Sequence, residues 1–164
     1  MPSASPILIS DEVEALIGGP VSVLVGTRDS RLMPEITRAW GPRVSGDRRS
    51  VSLCVPLATS RQTLDNLEAN GEIAVTLSLP TNYRTFQLKG RYTATAEPDP
   101  ADLAAVEQHR DAFAAVNERL GQPRHRVEAF WQAELETSAV LVKVLFTAQQ
   151  IFDQTPGPGA GRSV

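Results

Sequence analysis

The sequence has one cysteine, Cys54, so neither an internal disulfide nor a multi-cysteine metal site can form, and a reducing intracellular setting is expected. Basic residues do not outnumber acidic ones: 16 Lys and Arg face 19 Asp and Glu, for a net charge of -3. A protein that grips a nucleic-acid backbone concentrates positive charge on one face, and this chain offers no such excess, so nucleic acid is not an expected partner. No run of about 18 apolar residues occurs, and the opening MPSASPILIS has no positive segment ahead of an apolar core. A soluble, cytoplasmic protein without a membrane partner is the expectation. Internal repeats are missing too. His109 and His125 have no Cys, His or carboxylate partners at a ligand spacing, so no metal site is assigned and both read as surface histidines.

What is present is ordinary globular material, 41% hydrophobic and 21% charged in 164 residues, enough for one domain with its own core. Residues 1–154 read as that domain and 155–164, TPGPGAGRSV, as a Pro/Gly-rich tail without regular structure. After a loose arm, Met1 to Ile9, a short helix spans Asp11 to Ile17 with Gly18-Gly19 as its stop. PVSVLVGT alternates as a strand with Val21, Val23 and Val25 on one face, and PEITRAW returns with Ile36, Arg38 and Trp40 on one side. Ser45 to Arg49 read as a hairpin turn. Val51, Leu53, Val55 and Leu57 then form the inner face of a third strand, which places Cys54, read as a packed thiol, on the other face. EIAVTLSL is the clearest strand, and TFQLKGRYTATA makes a long fifth one with Gln87, Lys89, Arg91 and Thr93 on its polar side. Two helices follow, one with Leu103, Val106, Phe113, Val116 and Leu120 on its apolar stripe, the other burying Val127, Phe130, Trp131 and Leu135. SAVLVKVLFTAQQIF supplies a sixth strand. The fold class is mainly β with appended helices (α+β), a six-stranded antiparallel barrel.

The stretch Val51 to Arg91 carries the functional signal. Its strand ends at Val55-Pro56, and Ala58-Thr59-Ser60 turn the chain into a helix read as starting at Arg61 and Gln62 and stopping at Asn70-Gly71. A helix N-terminus presents unpaired N–H groups and a positive dipole end, to which Thr59, Ser60 and Thr63 add hydroxyls and Arg61 a guanidinium. The same residues also fit an ordinary Ser or Thr N-cap followed by a solvated arginine.

TSRQTLDNLEANGEIAV, followed at a fixed distance by QLKGR, resembles the pyridoxamine 5'-phosphate oxidase-like FMN-binding split-barrel family, over roughly Val21 to Ala96 and the late strand Ala139 to Phe146. The resemblance implies a Greek-key split barrel in which Ser60 and Arg61 bind the FMN phosphate, with Thr63 beside them. Gln62 falls where that family often carries a phosphate-binding lysine. Arg38 falls near a strand arginine that also reaches the phosphate; it reads equally as an exposed arginine on an edge strand. Backbone at Val55, Pro56 and Leu57 would pass along the flavin ring. Gln87 matches a glutamine that approaches the ring from the partner subunit, and otherwise is a polar residue on a solvent face. A homodimer with FMN at the subunit interface follows from the resemblance, together with a small-molecule redox substrate. The substrate-binding helix and C-terminal cluster of the vitamin B6 oxidase have no counterpart, so an FMN-dependent oxidoreductase of flavin-reductase or orphan type is expected rather than that oxidase. No side chain is nominated as catalytic. A flavin-, haem- or deazaflavin-binding module without turnover is the alternative, and a dimeric interaction module with a decayed site is a third reading. Trp40, Tyr83 and Trp131 read as core or interface residues rather than flavin-stacking ones.

Overall fold

The computed structural model describes residues 5–137 and 140–164; residues 1–4, the Leu135 side chain and Ala139 lie outside that description. The chain runs α1 (Asp11–Ile17), β1 (Ser22–Arg28), β2 (Pro34–Arg38), β3 (Trp40–Val44), β4 (Ser50–Pro56), α2 (Leu57–Asn70), β5 (Glu72–Ser78), β6 (Thr85–Ala96), α3 (Pro100–Arg119), α4 (Arg124–Thr137), β7 (Leu141–Asp153) and β8 (Arg162–Ser163). All pairings are antiparallel, in the order β2-β1-β5-β6-β7-β4-β3, with β8 beside β7.

Among the described residues there are eight strands where the sequence suggested six. The returning segment PEITRAW is not one strand, because its two halves serve opposite ends of the sheet. β2 pairs with β1, and after Ala39 the chain continues as β3 and pairs with β4. Ala39 is fully buried and still bonds β1, its N–H donating to the Val23 carbonyl at 3.1 Å. One residue thus joins the two ends of the strand order, which closes the sheet into a barrel. The eighth strand comes from the tail, where the Gly161 N–H donates to the Asp153 carbonyl at 2.7 Å and Ser163 lies opposite Phe152.

Alternation fills the interior. Val23 and Val25, Val51, Leu53 and Val55, Ile73, Val75 and Leu77, and Phe86 and Leu88 all point into one buried cluster. Each such side chain contributes roughly 1.5–3 kcal/mol by leaving water. The described end of the N-terminal arm is tied down, since Ile9 is fully buried and its N–H donates to the Arg48 carbonyl at 2.8 Å. A second cluster lies outside the barrel: Trp40 and Cys54, on the opposite face of β3 and β4, pack under α3 and α4 with Val106, Phe113, Val127 and Trp131. Leu103, Leu120 and Phe130, expected on the buried stripes, are 45–51% exposed. Among the described residues no helix is long and apolar enough to cross a membrane.

Four polar contacts fix α3 on the barrel, two at Asp102 and two at His109. Asp99 and Asp102 form a reciprocal capping box, and Asp102 also accepts from Lys143 Nζ at 2.7 Å and Arg43 Nη1 at 2.9 Å. Burial opposes charging Asp102, but the Lys143 and Arg43 bonds outweigh it and hold its carboxyl below the usual value. Gly41, at φ +59, is required where α3 crosses: a Cβ there would sit 2.7 Å from the Val106 nitrogen. His109 is buried, which corrects its reading as a surface histidine. Its Nε2–H donates to the Val21 carbonyl at 2.8 Å and its Nδ1 accepts from the Gly41 N–H at 3.1 Å, an assignment that requires the neutral ring. His125 is exposed, as expected.

Burial lowers the His109 pKa below its ordinary 6.5, and the nearby Arg110 and Arg38 charges act in the same direction. The unfolded chain therefore binds a proton on this ring that the folded chain refuses. Stability should be at its plateau above the unfolded value and fall as pH drops below 6.5 toward the folded value. Urea denaturation of wild type and His109→Gln across this range should show the slope in the first and a flatter profile in the second.

Candidate functional site

β4 runs directly into α2, and the junction is built differently from the sequence expectation. The helix starts at Leu57, four residues before Arg61, because Pro56 at φ -69 and ψ 125 already stands as the N-cap. Proline has no side-chain acceptor, so no capping bond forms, and the first turn contains no acid. The Leu57 N–H is taken by the Val140 carbonyl at 2.9 Å. Ala58 is half-buried, and Thr59 and Arg61 are exposed beside it. Arg61 makes no ion pair among the described residues. An uncapped helix start with a free guanidinium and no carboxylate suits an anionic group such as a phosphate.

Ser60 and Thr63 do not face that opening. Both are fully buried on the inner side of α2. Ser60 Oγ lies 2.8 Å from Thr37 Oγ1, so β2 and α2 share a buried hydroxyl pair. Asn66, one turn further on, donates to Thr27 Oγ1 at 3.1 Å, and Gln62 Nε2 donates to Asn66 Oδ1 at 2.9 Å. Thr63 Oγ1 has no partner among the described residues. The spacing Ser60, Thr63, Asn66 thus makes a polar stripe on the face of α2 that meets the barrel. The sequence reading missed Thr27, Thr37 and Asn66; the three-residue repeat of small polar side chains on α2 pointed to Asn66 alone, and nothing local marked Thr27 on β1 or Thr37 on β2.

The other expected residues are dispersed. Arg38 leaves β2 on the face opposite Thr37, with Nη1 3.4 Å from Ser22 Oγ and its guanidinium 5.0 Å from the Phe130 ring and 5.8 Å from Trp40. It lies under α4, not beside Ser60. Val55 and Pro56 are buried and Leu57 half-buried at the strand end. Gln87 is half-buried on the outer face of β6, where Nε2 donates to Thr76 Oγ1 of β5 at 3.1 Å. Within one chain it points away from the barrel interior into which Ser60 and Thr63 point. Cys54 is a packed thiol that burial pushes up to about 11. Trp40 and Trp131 pack edge to face at 5.2 Å under the helices, and Tyr83 sits exposed at the tip of the β5–β6 turn. No cluster of His, Cys, Asp and Glu among the described residues is arranged to hold a metal.

The architecture is that of known proteins. An F420 reductase superposes with TM-score 0.54 at 16% identity, covering 87% of this chain and 98% of that one. A protein of Lactobacillus delbrueckii described as a pyridoxamine 5'-phosphate oxidase gives TM-score 0.54 at 12% identity, over 88% and 93%. An FMN-binding protein of Syntrophomonas wolfei gives 0.50 at 14%, over 84% and 80%. The fold is the pyridoxamine 5'-phosphate oxidase-like split barrel. No protein-family model matches the chain, and no curated protein matches its sequence.

The buried hydroxyls make separable predictions. Thr63→Val removes an unpartnered buried hydroxyl and should raise stability by about 1 kcal/mol. Thr37→Val strands Ser60 and should cost about 1–3 kcal/mol. Equilibrium unfolding of the two variants checks the opposite signs.

Proposed function

We propose that the chain is an FMN-dependent oxidoreductase that works as a homodimer on a small-molecule redox substrate, of the flavin-reductase type rather than a vitamin B6 oxidase. The observation that carries this is the start of α2: a helix N-terminus with no side-chain cap and no acid in its first turn, with Arg61 exposed and without an ion pair among the described residues. The likeness in fold to an FMN-binding protein supports it. The Ala58 and Thr59 N–H groups, the Thr59 hydroxyl and Arg61 would hold the phosphate, since the Leu57 N–H is already taken by Val140. Ser60 and Thr63 act from behind, Ser60 by locking α2 to Thr37. The cofactor supplies the electron chemistry, and the protein supplies position and charge. Gln87 faces away from its own α2, so a second copy is what would bring an amide to the ring of the first, and the homodimer belongs to the proposal for that reason.

A deazaflavin is the second reading. It is favoured by the F420 reductase likeness and by Gln62, which is tied to Asn66 and adds no positive charge where a phosphomonoester is best met by two cations. On either reading the protein is redox active; a binding module without turnover would take up the cofactor but leave it unreduced by any donor.

Purified protein mixed with FMN should acquire a flavin visible spectrum, and a protein that stays colourless after desalting refutes the FMN assignment. Arg61→Ala should weaken uptake by about 1.5–3 kcal/mol, the range for a hydrogen bond to a charged group. Gln62→Lys should tighten it, by an amount that shrinks as salt is raised.

A further inference from the structure

β1 is bonded on both sides, by β2 and β5, yet its residue 26 is a glycine that the backbone does not need. Its φ is not left-handed, and an added Cβ would come no nearer than 3.7 Å to the Ala74 carbonyl oxygen. Gly90 on β6 differs, since a Cβ there would strike the Thr147 carbonyl oxygen at 2.0 Å. Glycine inside a strand weakens it and marks places where another molecule comes close to the backbone. At Gly26 the missing side chain leaves open the floor of a cleft of about 520 Å³ on the outer face of the sheet. That volume lies in the range of small-molecule sites.

The register sets Ile36, Gly26, Ala74 and Lys89 in one row across four strands. Ile36, 65% exposed, is an apolar wall on one side of a small-residue floor. On the other side stand Lys89 and Arg91, both exposed and without ion pairs among the described residues. Lys89 Nζ rests 5.2 Å from the Phe152 ring. Arg28 is matched by Glu72 at 2.8 Å, and Glu35 is the remaining acid, so three cations face two carboxylates around the cleft.

We propose that this cleft binds a small, flat, anionic aromatic molecule, its ring on Gly26 and Ala74 against Ile36 and its anionic group at Lys89 and Arg91. Resting on the function proposed above, this molecule is the co-substrate, because Lys89 follows Gln87 by two residues on the same face of β6 and so lies next to the amide assigned to the cofactor ring.

The test uses naphthalene sulfonate as the probe and naphthyl methanol as its neutral counterpart, titrated calorimetrically into wild type, Gly26→Val and a Lys89→Gln/Arg91→Gln double variant. FMN uptake and molar mass by light scattering are followed in each. Wild type should bind the sulfonate roughly tenfold tighter than the alcohol, a difference of about 1.4 kcal/mol. Gly26→Val should lose both, and the double variant should keep the alcohol and lose the preference, with FMN uptake unchanged throughout. Equal binding of the two probes by wild type, or wild-type binding by Gly26→Val, overturns the proposal. So does failure of wild type to bind either probe, and a shift of Gly26→Val from dimer to monomer in that case would assign the cleft to a second copy of the chain. Wild type that binds the sulfonate as expected but takes up no FMN keeps the cleft and removes the cofactor assignment alone.

Discussion

The passage of one extended segment from β2 to β3 at Ala39 is the constraint on which the rest of the molecule depends. Because the two halves bond to strands at opposite ends of the order, the sheet must curl until Ala39 is both shared and buried. Side chains on either side of the crossing then serve different layers. Thr37 points inward and meets Ser60, while Trp40 points outward and receives α3 and α4. Gly41 lets the helix come within contact of the strand, and His109 bonds across the same corner to Val21 and Gly41. The inner core, the position of α2 and the outer helical layer therefore all refer to one short piece of backbone.

The two helical regions are attached by different physics. α3 contributes Val106, Phe113, Ala114 and Val116 to burial and is held by apolar area as well as by Asp102 and His109. The buried stripe of α2 is Ser60, Thr63 and Asn66, with Leu67 as its one buried large apolar residue. Hydrogen bonds are directional where apolar contacts are not, so α2 is placed in register by Thr37 and Thr27 rather than pressed in by area. For a helix whose first turn is proposed to meet a ligand that kind of seat is an advantage, because an error of an ångström at its N-terminus would misdirect the N–H groups there.

Much of this was legible in the residues. The alternation in EIAVTLSL placed Ile73, Val75 and Leu77 in the core, Asn70-Gly71 marked the end of α2 with Gly71 at φ 70, and Cys54 lies opposite Leu53 and Val55 as its position implied. The break at Ala39 was not legible, because Ile36, Arg38 and Trp40 keep a period of two straight through it and Gly41-Pro42 come only after the crossing. The helix start was misplaced because Leu57 continues the strand's alternation, so the pattern alone could not tell the last strand residue from the first helical one. That four-residue difference changes which way Ser60 and Thr63 point. His109 was opaque for another reason: its bonding partners lie 88 and 68 residues away. The Pro/Gly tail hid β8 because its pairing depends on the edge offered by β7 and not on its own propensity.

Both tryptophans of the chain, Trp40 and Trp131, stand in the outer layer, edge to face with each other and each within 6 Å of the Arg110 guanidinium. The barrel interior holds phenylalanines but no indole. Intrinsic fluorescence is thus a private optical channel for the seam between the helices and the sheet, blind to the interior, while the amide I infrared band of the sheet reads the strands. An event that loosens one layer and spares the other separates these two signals in time or in temperature, and the placement of two indole rings makes the layered construction of the molecule directly observable without any label.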